Sequence, residues 1–252
     1  MAEKGVQLID RLLDILELLS GEKDGLGVTE IGNRIGLHKS TVHRIVSAMA
    51  ERGYIEKVPG RGVYKIGLKL VEISSVYLNN VELKTEARPY LHELTTKFGQ
   101  PSHLAILDGS DAVYIDKVDT VNNIRLYSQI GRRIPVYCSA LGKCLLSGLN
   151  NNEISEILSR CSFHKYTPKT LDREVVLRQV MAVAAYGWAI DDEEHDEGIR
   201  CIASPVFDYR GKVVAAVSIA GPSAVIALEN DSETAKMVQE AALKISKRMG
   251  FK

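Results

Sequence analysis

The sequence predicts an α+β fold made of an N-terminal winged helix-turn-helix, a linker helix and a C-terminal antiparallel sheet with helices. Three observations support this prediction. Apolar residues recur with helical spacing through most of the first 50 positions, and two β-prone runs around a Pro-Gly-Arg-Gly turn follow at residues 54–66. From residue 100 onward, short β-rich runs with turn residues between them alternate with helical segments.

The composition is that of an ordinary globular protein. The chain has 252 residues, of which 45% are hydrophobic and 25% charged, enough for one large domain or two of average size. It has no run of about 18 apolar residues and no apolar signal-peptide core, so we expect a cytoplasmic protein with no membrane partner. The four cysteines include no C-x-x-C pair, which favours neither a zinc motif nor a disulfide framework.

Apolar periodicity predicts the first three helices. Residues 6–20 carry a wide leucine-rich stripe that stops before Gly21. Residues 28–36 form a second helix, for which Thr29 is the expected N-cap. A glycine-containing turn then leads to a third helix over residues 38–53. Two helices around such a turn form a helix-turn-helix.

The third helix has an apolar face and a cationic face. Its apolar side chains follow the i, i+3, i+4, i+7 pattern: Val42, Ile45, Val46 and Met49. The opposite face has no acidic residue before Glu51. Residues 31–70 hold eight basic and two acidic side chains, net +6, although the whole chain has a net charge of zero. Such a local basic region is typical of surfaces that bind phosphate backbones.

The candidate DNA contacts are polar and cationic side chains of the helix-turn-helix and of the following hairpin. A recognition helix presents its N-terminal residues to base edges in the major groove, and basic hairpin residues can reach the backbone or a minor groove. The candidates are Thr29, His38, Lys39, Ser40, Thr41, His43, Arg44, Ser47, Arg61 and Lys65. An ordinary amphipathic helix beside a basic loop is the alternative, and the combination of features favours double-stranded DNA.

The remaining elements follow from the same patterns. Residues 67–100 are mostly helical, with a joint at Asn79-Asn80, and Pro89 indicates a helix start or a kink. Strands are expected at residues 102–107, 112–118, 124–130, 187–193, 201–208 and 211–221. Helices are expected at residues 139–149, 151–161, 173–187 and 231–250.

Several segments, in the right order, resemble the IclR family of bacterial transcription regulators. They are GVTEIGNRIGLHKSTVHRIVSAMAERGYIEK with YKIGLKL, then GRRIPVYCSALGKCLLS, GWAIDDEEHDEGIRCIASPVFD and VAAVSIAGP. The resemblance implies a DNA-binding domain at 1–66, a linker helix at 67–84 and a GAF-like effector-binding domain at 85–252. It also implies a repressor that binds a palindromic operator as a homodimer or a dimer of dimers. The segment from Gly131 is most similar to the branch that controls sugar-acid catabolism.

Three short stretches are candidates for an effector pocket. Ser139 can cap a helix that starts near Ala140, and N-terminal helix amides attract a carboxylate. Asp191 follows an apolar strand, where its carboxylate can turn inward, and Ser218 is a hydroxyl within another apolar strand. The resemblance implies effector contacts at Ser139, Ala140, Asp191, Cys201 and Ser218, with Ile199 on the wall. Ala220 stands where relatives often carry a hydroxyl. Ordinary packing is the alternative for Cys201 and Ile199, and an organic or sugar acid would suit this set.

Metal and enzyme chemistry are the alternatives to ligand-responsive regulation. The candidate cation ligands are His195, Asp191, Glu194 and Cys201. Their spacing matches no established zinc or EF-hand pattern. The chain has no G-x-S-x-G elbow, Walker A pattern or H-E-x-x-H. This disfavours a hydrolase that uses Ser139 or Cys138 with His103 or His164. A protein-interaction module built on the winged domain is the third alternative. We therefore expect a DNA-binding regulator with no cofactor, metal or catalytic residues.

Overall fold

The structure is a computed structural model that describes residues 2–79, 82–120 and 128–252. Its contacts divide the chain into two compact units, Met1–Asn80 and Val81–Lys252. Among the described helices, none is long and apolar enough to cross a membrane. The domain boundaries expected at 66/67 and 84/85 stay predictions.

The first unit is a helix-turn-helix followed by a hairpin. Its elements are α1 (Ala2–Ser20), β1 (Leu26–Gly27), α2 (Val28–Ile35), α3 (Lys39–Glu51), β2 (Ile55–Lys57), β3 (Val63–Ile66) and α4 (Leu68–Asn79). The three predicted helices and the predicted hairpin are confirmed. Strand β1, which has only two residues and was not predicted, joins the hairpin to give an antiparallel sheet of order β1-β3-β2.

The apolar face predicted for α3 lies in the core of the first unit. Val42, Ile45, Val46 and Met49 are all buried, and they pack with residues of α1 and of the hairpin that include Ile15. The opposite face of α3 therefore remains available to solvent.

The predicted N-cap at Thr29 is wrong. Helix α2 begins at Val28, and Gly27 is its N-cap, with φ −77° and ψ 153° and no side-chain hydrogen bond. Gly27 also pairs with Val63 in the small sheet, so the chain passes directly from the strand into the helix. Thr29 lies exposed in the first turn instead.

The turn between α2 and α3 depends on two glycines. Gly36 adopts φ +68°, the left-handed conformation that glycine tolerates best, and its N–H donates to the carbonyl of Gly32. A side chain at Gly32 would meet the carbonyl oxygen of Leu37 at 2.6 Å. Gly36 therefore lets the chain turn at the end of α2, and Gly32 leaves room for the backbone of that turn to pass close to α2.

The second unit is built on a six-stranded antiparallel sheet. Its elements are α5 (Glu82–Phe98), β4 (Ser102–Asp108), β5 (Asp111–Val118), β6 (Arg133–Pro135), α6 (Ala140–Leu146), α7 (Asn151–Arg160), α8 (Arg173–Tyr186), β7 (Ala189–Asp192), β8 (Ile199–Phe207), β9 (Val213–Pro222) and α9 (Asp231–Arg248). The strand order is β6-β5-β4-β9-β8-β7. The α+β class and the antiparallel sheet with helices are confirmed.

Three local predictions need comment. The strand predicted at 124–130 lies largely outside the described residues, because these resume at Ser128. Strand β6 was not predicted. Pro89 lies inside α5, which begins seven residues earlier at Glu82, so no helix starts at Pro89.

Helices cover both faces of the large sheet. Helices α5 and α9 bury apolar side chains against one face, which includes Leu104, Ile202 and Val217. Helix α6 packs on the other face, which includes Ala105 and Ala216. Because side chains alternate along a strand, neighbouring positions of one strand serve two different cores. The face under α6 is the one that carries the candidate pocket.

Candidate functional site

The polar face of α3 forms the first candidate surface. Lys39, His43, Arg44 and Ser47 are exposed on it, and residues four apart share a helix face. Within the described parts of the chain, neither Lys39 nor Arg44 makes an ion pair. Both cations therefore remain available to a phosphate or a base edge.

The start of α3 is organised by two of the candidate residues. His38 is the N-cap, and its Nδ1 accepts the backbone N–H of Ser40 at 3.3 Å. The same nitrogen lies 2.8 Å from Ser40 Oγ. Both side chains are exposed, and Thr41, in the first turn, is half-buried. His38 and Ser40 therefore stabilise the first turn of α3, and both also lie on the surface predicted to bind DNA.

The hairpin places its two cations differently. Arg61 lies in the turn between β2 and β3, and its side chain is 67% exposed, with Asp24 at 3.8 Å. Lys65 on β3 pairs at 2.9 Å with Glu56, its partner across the hairpin. Arg61 is therefore the less neutralised of the two cations.

The second candidate site is a cavity of about 70 Å³ in the second unit. Space for one water needs about 10–15 Å³ on this measure, so the cavity has room for a small molecule. It is lined by His103, Tyr114, Ser128, Arg132, Ile134, Ser139, Leu141, Asp191, His195, Asp196, Ile199, Cys201 and Ala220. These residues come from all six strands of the large sheet, the segment before β6, the start of α6 and the loop after β7.

Four of the six predicted effector residues line this cavity: Ser139, Asp191, Ile199 and Cys201. The other two, Ala140 and Ser218, are fully buried but are not among its lining residues. That any of the six contacts an effector stays a prediction.

Sequence reasoning missed much of the wall. The missed residues are Tyr114, Ser128, Arg132, Ile134, Leu141 and Asp196, and His103 was considered only as the partner of a hydrolase nucleophile. His195 was considered only as a metal ligand. Ala220 was mentioned only because relatives often carry a hydroxyl side chain at this position. One local signal was available, because His103 is a lone titratable residue inside the apolar run that became β4.

Ser139 caps α6, as predicted. Its Oγ accepts the backbone N–H of Gly142 at 3.2 Å and donates to the carbonyl of Pro135 at 2.9 Å. A side chain at Gly142 would lie 2.3 Å from Val136 Cα, so this turn closes only around a glycine. The Ser139 hydroxyl proton is already used within the protein, and a ligand would meet only its remaining lone pair.

Asp191 is the most unusual group of the cavity. Only 7% of the residue is exposed, and Oδ1 accepts the backbone N–H of Glu194 at 2.7 Å. Burial disfavours the charged form, and the nearby Glu194 carboxylate adds repulsion, so the pKa of Asp191 is raised to about 7.

A buried ion pair holds the Asp191 segment to α6. Lys143 Nζ lies 2.5 and 2.7 Å from the two carboxylate oxygens of Glu194 and also donates to Gln179 Oε1 at 2.6 Å and to the Ile190 carbonyl at 2.7 Å. The two side chains of the pair are 0% and 3% exposed. The Lys143 ammonium therefore holds both Ile190 and Glu194, which lie on either side of Asp191 in the sequence.

The loop that follows β7 is further fixed by threonines. Thr167 Oγ1 donates to the Glu193 carbonyl at 2.7 Å, and Thr170 Oγ1 donates to the Glu194 carbonyl at 2.6 Å. Glu193 has φ +62°, which is strained for a non-glycine residue. These bonds stabilise a conformation that local backbone preference alone would not favour.

His103 contributes a neutral imidazole. Burial lowers its pKa to about 3, and its Nε2 lies 2.9 Å from Ser128 Oγ. Across the β4–β9 pair it stands opposite Ser218. His103 Nδ1 and Ser218 Oγ have no hydrogen-bond partner in the described parts of the chain, so the sheet under the cavity contains unsatisfied polar groups.

The candidate cation ligands are engaged elsewhere. Glu194 is bound to Lys143, and His195 Nδ1 lies 2.8 Å from Asp196 Oδ2. Over the described ranges, no group of three or more His, Cys, Asp or Glu side chains has a geometry that could hold a metal ion.

Comparison with known proteins assigns both units. Residues 8–59 match the IclR helix-turn-helix domain, and residues 75–247 match the bacterial transcriptional regulator IclR C-terminal domain. The HTH-type transcriptional regulator XynR of Escherichia coli K12 is 35% identical over 250 residues, 98% of each chain. The regulator KdgR of Dickeya chrysanthemi is 38% identical over 247 residues, 98% of this chain and 81% of that one.

A solved structure agrees with these matches. The crystal structure of the Thermotoga maritima IclR superposes with a TM-score of 0.80 and 28% identity over the whole of both chains. The relatives are named as transcriptional regulators, not as enzymes. With two family domains in order and full-length relatives above 30% identity, the chain belongs to the IclR family of bacterial transcriptional regulators and is a ligand-responsive DNA-binding regulator.

Proposed function

We propose that this chain is a cytoplasmic repressor that binds a palindromic operator as a homodimer or a dimer of dimers. An organic acid, in particular a sugar acid, occupies the cavity around Ser139 and Asp191 and changes operator affinity. The observation that supports this proposal most is the cavity beside Ser139, Asp191 and Arg132, in a chain whose other unit presents a cationic helix.

The chemistry of the cavity suits a small acid with hydroxyls. Arg132 on its wall provides a fixed positive charge, and a protonated Asp191 can donate a hydrogen bond. Tyr114 and His103 add polar groups that can meet ligand hydroxyls. Helix α6 has only seven residues, so its dipole adds less than the sequence suggested.

The DNA contacts divide by role. Lys39, His43 and Arg44 stand on the exposed face of α3, from which a recognition helix reaches base edges. Arg61 at the hairpin turn suits a backbone or minor-groove contact. A palindromic operator requires a protein with two-fold symmetry, which is the reason for proposing a dimer.

Effector and operator are coupled by one free energy. A ligand that changes operator affinity by some factor must have its own affinity changed by operator DNA by the same factor. Lys143, Thr167 and Thr170 hold the segment that follows Asp191 in place, so a ligand bound at Asp191 contacts a rigid part of the second unit.

The test uses the full-length protein. An operator is first selected from random duplex DNA, and its affinity is measured by fluorescence anisotropy with and without D-gluconate, D-galactonate, D-glucuronate and pyruvate. D-gluconamide serves as the neutral control. At least one acid is expected to shift operator affinity, with the reciprocal shift in its own affinity.

Two results would contradict the proposal. One is the absence of DNA binding even in dilute buffer, where phosphate contacts are strongest. The other is that every acid that binds leaves operator affinity unchanged.

A further inference from the structure

Asp191 differs from the neighbouring carboxylates because it has no cation of its own. Glu194 is paired with Lys143, and Asp196 lies beside His195. No ion pair in the described part of the chain reaches Asp191, whose hydrogen bond comes from a backbone N–H. A carboxyl that is buried without a cation favours the neutral, protonated form.

The ionisable groups around Asp191 come from several of the elements that border the cavity. They are Lys143 of α6, Glu194, His195 and Asp196 of the loop after β7, Arg132 before β6, Tyr114 of β5, His103 of β4, Cys201 of β8 and Cys138 before α6. Burial and the Glu194 charge raise the pKa of Asp191, whereas Lys143 and His195 oppose this rise. The balance leaves the group close to half-protonated near pH 7 in the ligand-free protein.

We propose that the cavity binds the anion of an organic acid together with one proton, and that Asp191 carries this proton in the complex. The inference rests on the proposed function, in which an organic acid is the effector. The cavity is only about 70 Å³ in volume and Asp191 is part of its wall, so a ligand carboxylate seated there lies close to Asp191. Two carboxylates in one buried site share a proton, because both cannot be ionised at close range.

The step balances without any change in covalent bonds of the ligand. An ionised Asp191 takes one proton from the protonated form of the buffer as the anion enters, and the resulting O–H donates to a ligand carboxylate oxygen. When Asp191 is already protonated, the anion binds without further uptake. The affinity is therefore constant below about pH 7 and falls about ten-fold per pH unit above it.

Glu194 sets the pH at which this fall begins. The substitution Glu194→Gln keeps an amide oxygen for Lys143 and the backbone N–H for Asp191, and it removes the negative charge beside Asp191. The variant is expected to begin losing affinity at a lower pH. A merely structural role of Asp191 would not move this midpoint.

The experiment is calorimetric titration of the full-length protein with D-gluconate, in phosphate and in bis-Tris at pH 6, and in Tris and in Bicine at pH 8.5. The dependence of the binding heat on the buffer ionisation heat gives the number of protons taken up. Wild type is expected to take up close to one proton per site at pH 8.5 and almost none at pH 6. The other acids of the panel are used in the same way if they bind more tightly.

Two neighbouring variants separate Asp191 from its surroundings. Asp191→Asn is expected to show no uptake and an affinity that does not change between pH 6 and 8.5. Asp192→Asn is the matched control, because Asp192 pairs with Arg200 and does not line the cavity, so the uptake should persist. If Asp191→Asn does not fold, the proton uptake of the wild type at pH 8.5 and pH 6 decides.

The outcomes distinguish this inference from the proposed function. Binding of D-gluconate at pH 8.5 without proton uptake, or uptake that persists in Asp191→Asn, overturns the inference and leaves the function standing. Failure of every acid in the panel to bind between pH 5 and 9 overturns the effector class and the inference together.

Discussion

Lys143 and Glu194, 51 residues apart in the chain, form an ion pair in the interior of the second unit, with the ammonium 2.5 and 2.7 Å from the two carboxylate oxygens. The ammonium also donates hydrogen bonds to Gln179 Oε1 and to the Ile190 carbonyl oxygen. Because all these acceptors surround one buried cation, removing either partner leaves the other charge without compensation.

Substitution of one partner is expected to cost more stability than substitution of both. Lys143→Met should lower the free energy of unfolding by about 3–5 kcal/mol, because it leaves the Glu194 carboxylate buried and unpaired. The double variant Lys143→Met/Glu194→Leu should recover part of this loss. Urea unfolding followed by the fluorescence of Trp188, the single tryptophan, measures the second unit. Equal losses in the single and double variants would contradict the prediction.

Asp191 and Asp192 are expected to respond oppositely to the same substitution. The pKa of Asp191 is raised in the folded state from 3.8 to about 7, so this group costs stability progressively as the pH rises from about 4 to 7, and the full penalty remains above pH 7. Asp191→Asn should therefore stabilise the protein at pH 8, by up to about 4 kcal/mol, and the gain should disappear as the pH falls below 4.

Asp192 provides the control of opposite sign. Burial opposes its ionisation, but the hydrogen bonds from Arg200 and Lys169 outweigh this and lower its pKa. Its contribution to stability is present above the unfolded pKa and is lost as the pH falls through the folded pKa. Asp192→Asn should destabilise the protein at pH 8. Urea unfolding at pH 4 to 8 checks both variants, and the same sign in both at pH 8 would refute the assignment.

Local sequence patterns were sufficient for most of the helices and strands but not for the cavity. The helical periodicity of Val42, Ile45 and Met49 identified the buried face of α3, because that pattern depends only on neighbours along one helix. Strand β1 was missed because two residues carry no periodicity. Its pairing also places the N-cap of α2 at Gly27 and not at Thr29.

The wall of the cavity depends on sheet order, which is not a local property. His103 and Tyr114 reach the same cavity as Asp191 because β4 and β5 lie in the order β6-β5-β4-β9-β8-β7. The pairing of Lys143 with Glu194 was equally hidden, because 51 positions separate these two residues along the chain. Ser139 and Asp191 were found through the family resemblance and their positions at element ends.

The cap of α6 should affect both stability and ligand affinity. Ser139→Ala removes the hydrogen bond to the Gly142 N–H and should cost about 1 kcal/mol of stability. It should also weaken D-gluconate binding, because Ser139 lines the cavity. Asn150→Ala is the matched control, since Asn150 caps α7 through the Asn152 and Glu153 N–H groups and does not line the cavity. Unfolding in urea and calorimetric titration measure the two effects, and equal losses of ligand affinity would argue against a role for Ser139.

Arg44 should be needed for operator binding and not for folding. It is exposed on α3 and makes no ion pair within the described residues, so Arg44→Ala leaves no buried group uncompensated. A specific base contact is worth about 1–3 kcal/mol, and operator affinity should fall accordingly while urea unfolding is unchanged. Arg160→Ala removes the same charge from an exposed position of α7, where the guanidinium already pairs with Glu156, and should leave operator affinity within experimental error. If Arg44 contacts a phosphate instead, Arg44→Ala lowers the affinity for all DNA sequences equally. The slope of log affinity against log salt concentration then decreases by about one. An operator affinity that both substitutions leave unchanged would remove Arg44 from the interface.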